Sequence, residues 1–238
     1  MAQRVTAWML MLAAAGTAAA GNFSVAPVRI ELQGAQRTAV ITVHNNDSAP
    51  LLIQVSTLAW SQPGGEDTYE ATRDLLATPP VFTLPAQGEQ VVRVALRRDP
   101  DPTRELDYRL LLAEVPQSTN KDFTGLRVAL HLSLPVFVKA GAPANADLRW
   151  HGRWLPDGKL QVSASNDGLA HLQVSDFKLT FAGTDQTAHA AVTRYVLPGD
   201  TVTWQLTPPA DVSHAASVTL HGYSDQGEFQ ANIEFPGV

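Results

Sequence analysis

The chain has 238 residues, no cysteine and a formal net charge of −6 at pH 7. Disulfides, thiolate metal sites and cysteine nucleophiles are excluded outright, and nothing general draws the chain to nucleic acid or anionic lipid.

At the N-terminus, Arg4 is followed by an apolar stretch from Ala7 to Ala15 and the small run Ala18-Ala19-Ala20. This is the pattern of a cleavable secretory signal over residues 1–20, with the mature chain starting at Gly21. The apolar part is too short for a bilayer core of about 30 Å, and no later segment approaches a span, so no membrane insertion of the mature chain is expected. Roughly 218 residues then remain, enough for two domains of about 100 residues, each burying its own core.

From there apolar residues alternate with a period of two between Gly, Pro, Asn and Asp, and no stretch carries a helical period. The chain reads as all-β. The first half holds candidate strands at 24–32, 38–45, 51–60, 81–84, 90–96, 108–115 and 126–139, the pattern of an immunoglobulin-like sandwich. The stretch Ala140-Gly141-Ala142-Pro143-Ala144-Asn145-Ala146 is small, proline-bearing and without alternation, as an interdomain linker is. It separates a predicted first domain, 21–140, from a second, 147–238. The second has candidate strands at 148–154, 160–166, 172–181, 202–206, 217–223 and 229–235 and a turn at Pro156-Asp157-Gly158. The halves echo each other: residues 41–47 before Leu51 resemble residues 160–167 before Leu172, and Leu84-Pro85 resembles Leu197-Pro198. Either an internal repeat or the common spacing of β-turns accounts for this.

Chemistry-bearing motifs are missing. The seven histidines (His44, His131, His151, His171, His189, His214 and His221) form no close pair at ligand spacing, so no metal and no cofactor is expected. There is no G-x-S-x-G elbow, phosphate-cradling glycine loop or H-E-x-x-H helix, and hence no expected enzyme. Trp60, Trp150, Trp154 and Trp204 fall within strands, where core packing explains them better than carbohydrate binding does.

The segment 126–139 stands apart. Leu126, Val128, Leu130, Leu132 and Leu134 share one face of an unusually long strand, with Arg127, Ala129, His131 and Ser133 on the other. An ordinary sandwich strand needs about five or six residues. Surplus length projecting past its own core would offer an apolar row to another chain; a row lining its own core is the plainer alternative.

The order of motifs resembles the PapD-like family of periplasmic pilus-assembly chaperones across nearly the whole mature chain. Val25 to Gly34 is similar to the family's first strand. Ala77-Thr78-Pro79-Pro80-Val81, with Leu84-Pro85 and Val91-Val92-Arg93, is similar to its central signature. Residues 108–116 and 126–139 are similar to the strand ending in Glu-Ile/Val-Pro and to the donor strand. The resemblance implies two immunoglobulin-like sandwiches in a boomerang, pilin subunits and an outer-membrane usher as partners, a periplasmic location, and donor-strand complementation of an incomplete pilin. In the family two basic residues anchor the pilin's C-terminal carboxylate. The first falls on Arg29, expected to be otherwise unpaired. The second falls on Pro135, which cannot bind an anion, so Lys139 or Arg93 is the expected substitute. The Ser-Leu-Pro-Val-Phe-Val stretch at 133–138 resembles the archaic branch serving Csu or spore-coat-protein-U pili. Two other functions stay open on the residues alone: a secreted structural or adhesive sandwich that self-assembles, and an unrecognised hydrolase.

Overall fold

The computed structural model describes residues 19–20, 22–116, 127–191, 193–212 and 215–235. Leu126, His214 and most of the expected signal lie outside them. The first half contains β1 (Ala19–Ala20), β2 (Phe23–Ala26), β3 (Ile30–Leu32), β4 (Thr38–Asn45), β5 (Leu51–Ser61), β6 (Thr68–Ala71), β7 (Leu75–Thr78), β8 (Val81–Leu84), β9 (Glu89–Leu96), β10 (Leu106–Glu114), β11 (Arg127–Val128) and β12 (His131–Val138). The second contains β13 (Leu148–Trp154), β14 (Leu160–Asn166), β15 (Leu172–Phe181), β16 (Thr187–Ala190), β17 (Arg194–Val196), β18 (Thr201–Leu206), β19 (Ser217–Ser224) and β20 (Gly227–Glu234). The only helical segments among the described residues are single 3-10 turns at Pro63–Gly65 and Ala210–Val212.

Each half is a sandwich of two sheets. In the first, β2-β4-β9-β7 faces β3-β12-β10-β5-β6, with β8 also on β5. Period-two alternation sends Ile41, Val43, Ile53, Val92, Val94, Leu110 and Leu112 into one shared core. In the second, β13-β14-β18 faces β16-β15-β19-β20, with β17 on β15, around Val162, Phe177, Leu179, Trp204 and Leu220. Strands β6, β7, β16 and β17 escaped the sequence reading. They are short and mostly edge elements, where alternation over three or four residues gives too few positions to register.

The echo between the halves has a physical basis in two buried asparagines. Asn45 Nδ2 donates to the carbonyls of Ala49 (2.8 Å) and Leu84 (3.3 Å), and Asn166 Nδ2 to those of Ala170 (2.8 Å) and Val196 (2.9 Å). Their Oδ1 atoms accept from the backbone N–H of Asp47 and Gly168, two residues on. The same side chain therefore ties the same turn to the same neighbouring strand in both sandwiches.

The sandwiches meet across a small aromatic cluster of Trp60, Phe137 and Leu197, with Tyr195 against it. The Gln62 side chain crosses the junction twice, Nε2 donating to the Tyr195 carbonyl at 2.9 Å and Oε1 accepting from Leu197 N–H at 3.0 Å, and its backbone N–H donates to Asp200 Oδ2 at 3.3 Å. Gly65 is required here, since its φ is +86° and an added Cβ would sit 2.7 Å from the Thr201 carbonyl oxygen.

Candidate functional site

Strand β12 carries the first element of the site. It pairs antiparallel with β10 along its whole length, but on its other side β3 covers only Val136, Phe137 and Val138. N-terminal to Val136 that edge has no partner in the first sandwich among the described residues, apart from Ala19–Ala20 running parallel to Arg127–Val128 on β11. Backbone donors and acceptors from His131 to Pro135 thus line an open edge of the kind that templates another strand.

The apolar row is graded along this edge. Leu134 is 6% exposed and belongs to the first core; Leu130 and Leu132 pack only partly against it; Val128 is 48% exposed. Leu134 is therefore a core residue, which corrects its expected place in a free row. The expected continuous strand 126–139 is also broken, at Ala129 and Leu130. There the carboxylate of Glu114 accepts the Leu130 N–H at 3.2 Å, and the Leu130 carbonyl accepts the Glu114 N–H at 3.0 Å. From Pro135 onward both faces of β12 are buried, because Phe137 points away from the core into the junction cluster.

The second element is an open cavity of about 770 Å³ between the sandwiches, lined among others by Arg29, Glu31, Lys139, Glu105, His171 and Asp225. Arg29 is not unpaired. Its Nη1 donates to Asp225 Oδ2 at 2.7 Å, its Nη2 meets His171 Nε2 at 2.8 Å, and its Nε lies 2.9 Å from Glu31 Oε1 at an angle too bent for a hydrogen bond. The guanidinium also stands over the Phe137 ring at 5.0 Å. The physical reason is its position: a half-buried cation facing a second domain must be compensated there. Lys139 is likewise held, with Nζ 2.6 Å from Glu31 Oε2. Arg93 stands exposed on β9, between Val40 and Thr78 of its own sheet, the one facing the sheet of β12, and does not line the cavity.

One cation escaped the sequence reading. Arg109 on β10 is the direct cross-strand partner of Pro135, and on the other side Arg29 directly precedes Ile30, the β3 partner of Val136. Arg109 lies 3.7 Å over Trp60, with Tyr195 at 5.6 Å and Tyr69 at 5.9 Å. Its Nε is buried without a hydrogen-bond partner, and among the described residues it makes no ion pair. Burial raises the Tyr195 phenol, against the pull of both Arg29 and Arg109, so one hydroxyl feels both cations. The only sequence signal was alternation in β10; strand register supplied the rest.

Beneath Phe137 lies a buried acid cluster. His171 stacks on Phe137 with ring centroids 3.5 Å apart; its Nδ1 is 2.5 Å from Glu105 Oε1, and its Nε2 is 3.6 Å from Asp225 Oδ2. Burial and then Glu105 push the Asp107 carboxyl well above the usual range, and its Oδ1 has no hydrogen-bond partner. Burial opposes ionisation of Asp225, but His171 and Arg29 outweigh it and hold that carboxyl far below the usual range. Burial alone would lower the His171 imidazole; Asp225 and Glu105 outweigh it and raise it. Glu105, Asp107 and His171 each place a potential ligand atom within 4.8 Å of the others, a juxtaposition of two segments distant in the chain that spacing could not show. The 2.5 Å separation is that of a shared proton, since two ligands on one tetrahedral ion at about 2.0–2.2 Å stand more than about 3 Å apart.

Residues 22–143 match the family described as pili and flagellar-assembly chaperone, PapD N-terminal domain. A search of curated protein sequences finds no match. Among solved structures the chain is similar to one from the CsuC–CsuE chaperone–tip adhesion subunit pre-assembly complex of the archaic chaperone-usher Csu pili of Acinetobacter baumannii. That likeness has 19% identity, a TM-score of 0.67 and coverage of 90% of this chain and 99% of the other. It is also similar to the E. coli chaperone DraB, at 18% identity, TM-score 0.60 and coverage of 92% and 99%. A third is from the Salmonella enterica SafA pilin in complex with the SafB chaperone, at 18% identity, TM-score 0.58 and coverage of 89% and 96%.

Proposed function

This chain belongs to the family of pili and flagellar-assembly chaperones that carry a PapD N-terminal domain, and from that premise we propose that it captures pilin subunits by lending them the open edge of β12. The family is one of assembly chaperones, and the chain is not an enzyme. The observation that supports strand donation is the edge from His131 to Pro135, unpaired among the described residues, along which the apolar row packs progressively less on its own core, from buried Leu134 through half-buried Leu132 and Leu130 to exposed Val128. An incomplete pilin exposes ladder donors, acceptors and an apolar groove. This edge offers the complementary backbone, with Val128, Leu130 and Leu132 for the groove. At about 1.5–3 kcal/mol for each fully buried side chain, three such residues give several kcal/mol before ordering costs.

In this reading the pilin's terminal carboxylate docks at the junction of the sandwiches, between Arg29 in the cavity and Arg109 beside Pro135, outside the cavity's lining. Arg29 supplies one half of the clamp. Arg109 supplies the other better than Lys139 or Arg93, because it is the one of the three that lies beside Pro135 and carries no acid partner. Its stacking on Trp60 leaves the guanidinium edge for bidentate binding. The complex would form in the periplasm, after removal of the leader at 1–20, and be handed to an outer-membrane usher. Among the described residues no helix is long and apolar enough to cross a membrane.

The experiment is co-expression with the pilin encoded beside it. The expected result is a one-to-one complex and a pilin protected from degradation. A pilin equally soluble and monomeric without this chain would overturn the assignment, and self-assembly without pilin would favour the structural or adhesive alternative.

A further inference from the structure

Arg29 Nη2 is a donor only, so at 2.8 Å the His171 Nε2 facing it must accept. The imidazole is then neutral, with its proton on Nδ1, donated to Glu105 Oε1 at 2.5 Å. Glu105 also accepts the His171 backbone N–H at 3.0 Å, so the ring is fixed at two points by the first sandwich. A second proton, at Nε2, would turn the Arg29 contact into one between two cationic donors. The nearest acceptor for that proton is Asp225 Oδ2 at 3.6 Å, the atom that Arg29 Nη1 now holds at 2.7 Å. Asp225 is itself pinned by the Gln173 N–H on Oδ1 at 3.0 Å and so stays within reach of both. One carboxylate thus serves two competing cations.

We propose that His171 is a positioning residue for Arg29: neutral, it holds the arginine on Asp225; protonated, it takes Asp225 for itself and releases the arginine to a chain-terminal carboxylate. This rests on the reading of Arg29 as a carboxylate anchor. The groups facing the imidazole are Glu105 and Asp107 from β10 and the loop before it, Arg29 and Glu31 from β3 and its approach, Asp225 from the β19–β20 turn, and Tyr195 from β17. Three of the four carboxyls lie at hydrogen-bond or ion-pair distance from His171 or Arg29, which is why adding one proton rearranges partners rather than leaving a bare charge. By linkage, a bound carboxylate raises the affinity of His171 for its proton, and the proton raises the affinity for carboxylate. Binding should therefore tighten as pH falls through the His171 titration, by up to about tenfold per pH unit while one proton is taken up.

The test uses the purified protein with 15N-labelled histidine and, as probe, a ten-residue alternating Val-Thr peptide with a free C-terminal carboxylate, its C-terminal amide serving as control. The expected results are an Nδ1-protonated neutral tautomer for His171 in the free protein and a higher His171 titration midpoint with the acid peptide bound. Affinity should rise from pH 8 to pH 6 with proton uptake, read calorimetrically in two buffers of different ionisation heat. His171→Gln, which still donates to Glu105 and accepts from Arg29, should bind the acid peptide with a flat pH profile. A pH-independent affinity in the wild-type chain, or an Nε2-protonated tautomer, overturns the coupling. Equal binding of acid and amide overturns the carboxylate anchor and the coupling with it. If His171→Gln fails to fold, the wild-type nitrogen titration decides by itself.

Discussion

At the scale of single residues, the junction mixes groups held by several partners with groups left without one. Asp107 is half-buried, with a buried and unpartnered Oδ1 and a carboxyl raised by burial and by Glu105, so its folded state favours the proton. A raised carboxyl contributes stability that is fully present below the unfolded value near 3.9 and is lost as pH rises toward the folded one. Asp107→Asn removes that loss. The expected outcome is a melting temperature raised by the substitution at pH 8 and changed much less at pH 4. Arg109 makes the complementary case, a cation without an ion-pair partner among the described residues, kept in place by aromatic faces worth about 0.5–2 kcal/mol. Arg109→Met should cost the fold no more than about 2 kcal/mol by thermal melting while weakening pilin capture at least about tenfold, a charge-assisted bond being worth about 1.5–3 kcal/mol. Unchanged capture would return the second anchor to Lys139.

At the scale of elements, β12 divides by which of its neighbours is present. Its C-terminal part is sandwiched between β10 and β3 with both faces covered; its N-terminal part has one neighbour and one open edge among the described residues. Truncation should sort along the same gradient. Leu134→Ala is expected to cost about 2–5 kcal/mol of stability by denaturant unfolding. Val128→Ala, at a 48%-exposed position, is expected to stay within about 0.5 kcal/mol. Val128→Glu should then separate stability from function, leaving the melting temperature unchanged and abolishing pilin capture by burying a charge in an apolar groove. If Val128→Glu captures pilin normally, the row is not what enters the groove.

At the scale of the whole molecule, the junction joins an aromatic cluster to a group of charged side chains, and its charged part should respond to pH. Asp225 is depressed in the folded state by His171 and Arg29, so its contribution is present above the unfolded value and is lost as pH falls through the folded one. Asp225→Asn should therefore reduce the stability difference between pH 6 and pH 3, measured by urea unfolding followed separately in each sandwich. The sequence by itself determined the all-β class, since period-two alternation follows from the pleat of a single strand. It also marked the asparagine turns and the apolar row at 128–134, because each is written in neighbouring residues. Only the tertiary structure decided that Leu134 is core, that Arg109 rather than Arg93 stands by Pro135, that Arg29 is already paired, and that His171 reaches Glu105 and Asp225. Those facts depend on strand register and on how two sandwiches meet, and residues on different strands leave no periodic trace of the contact they will make.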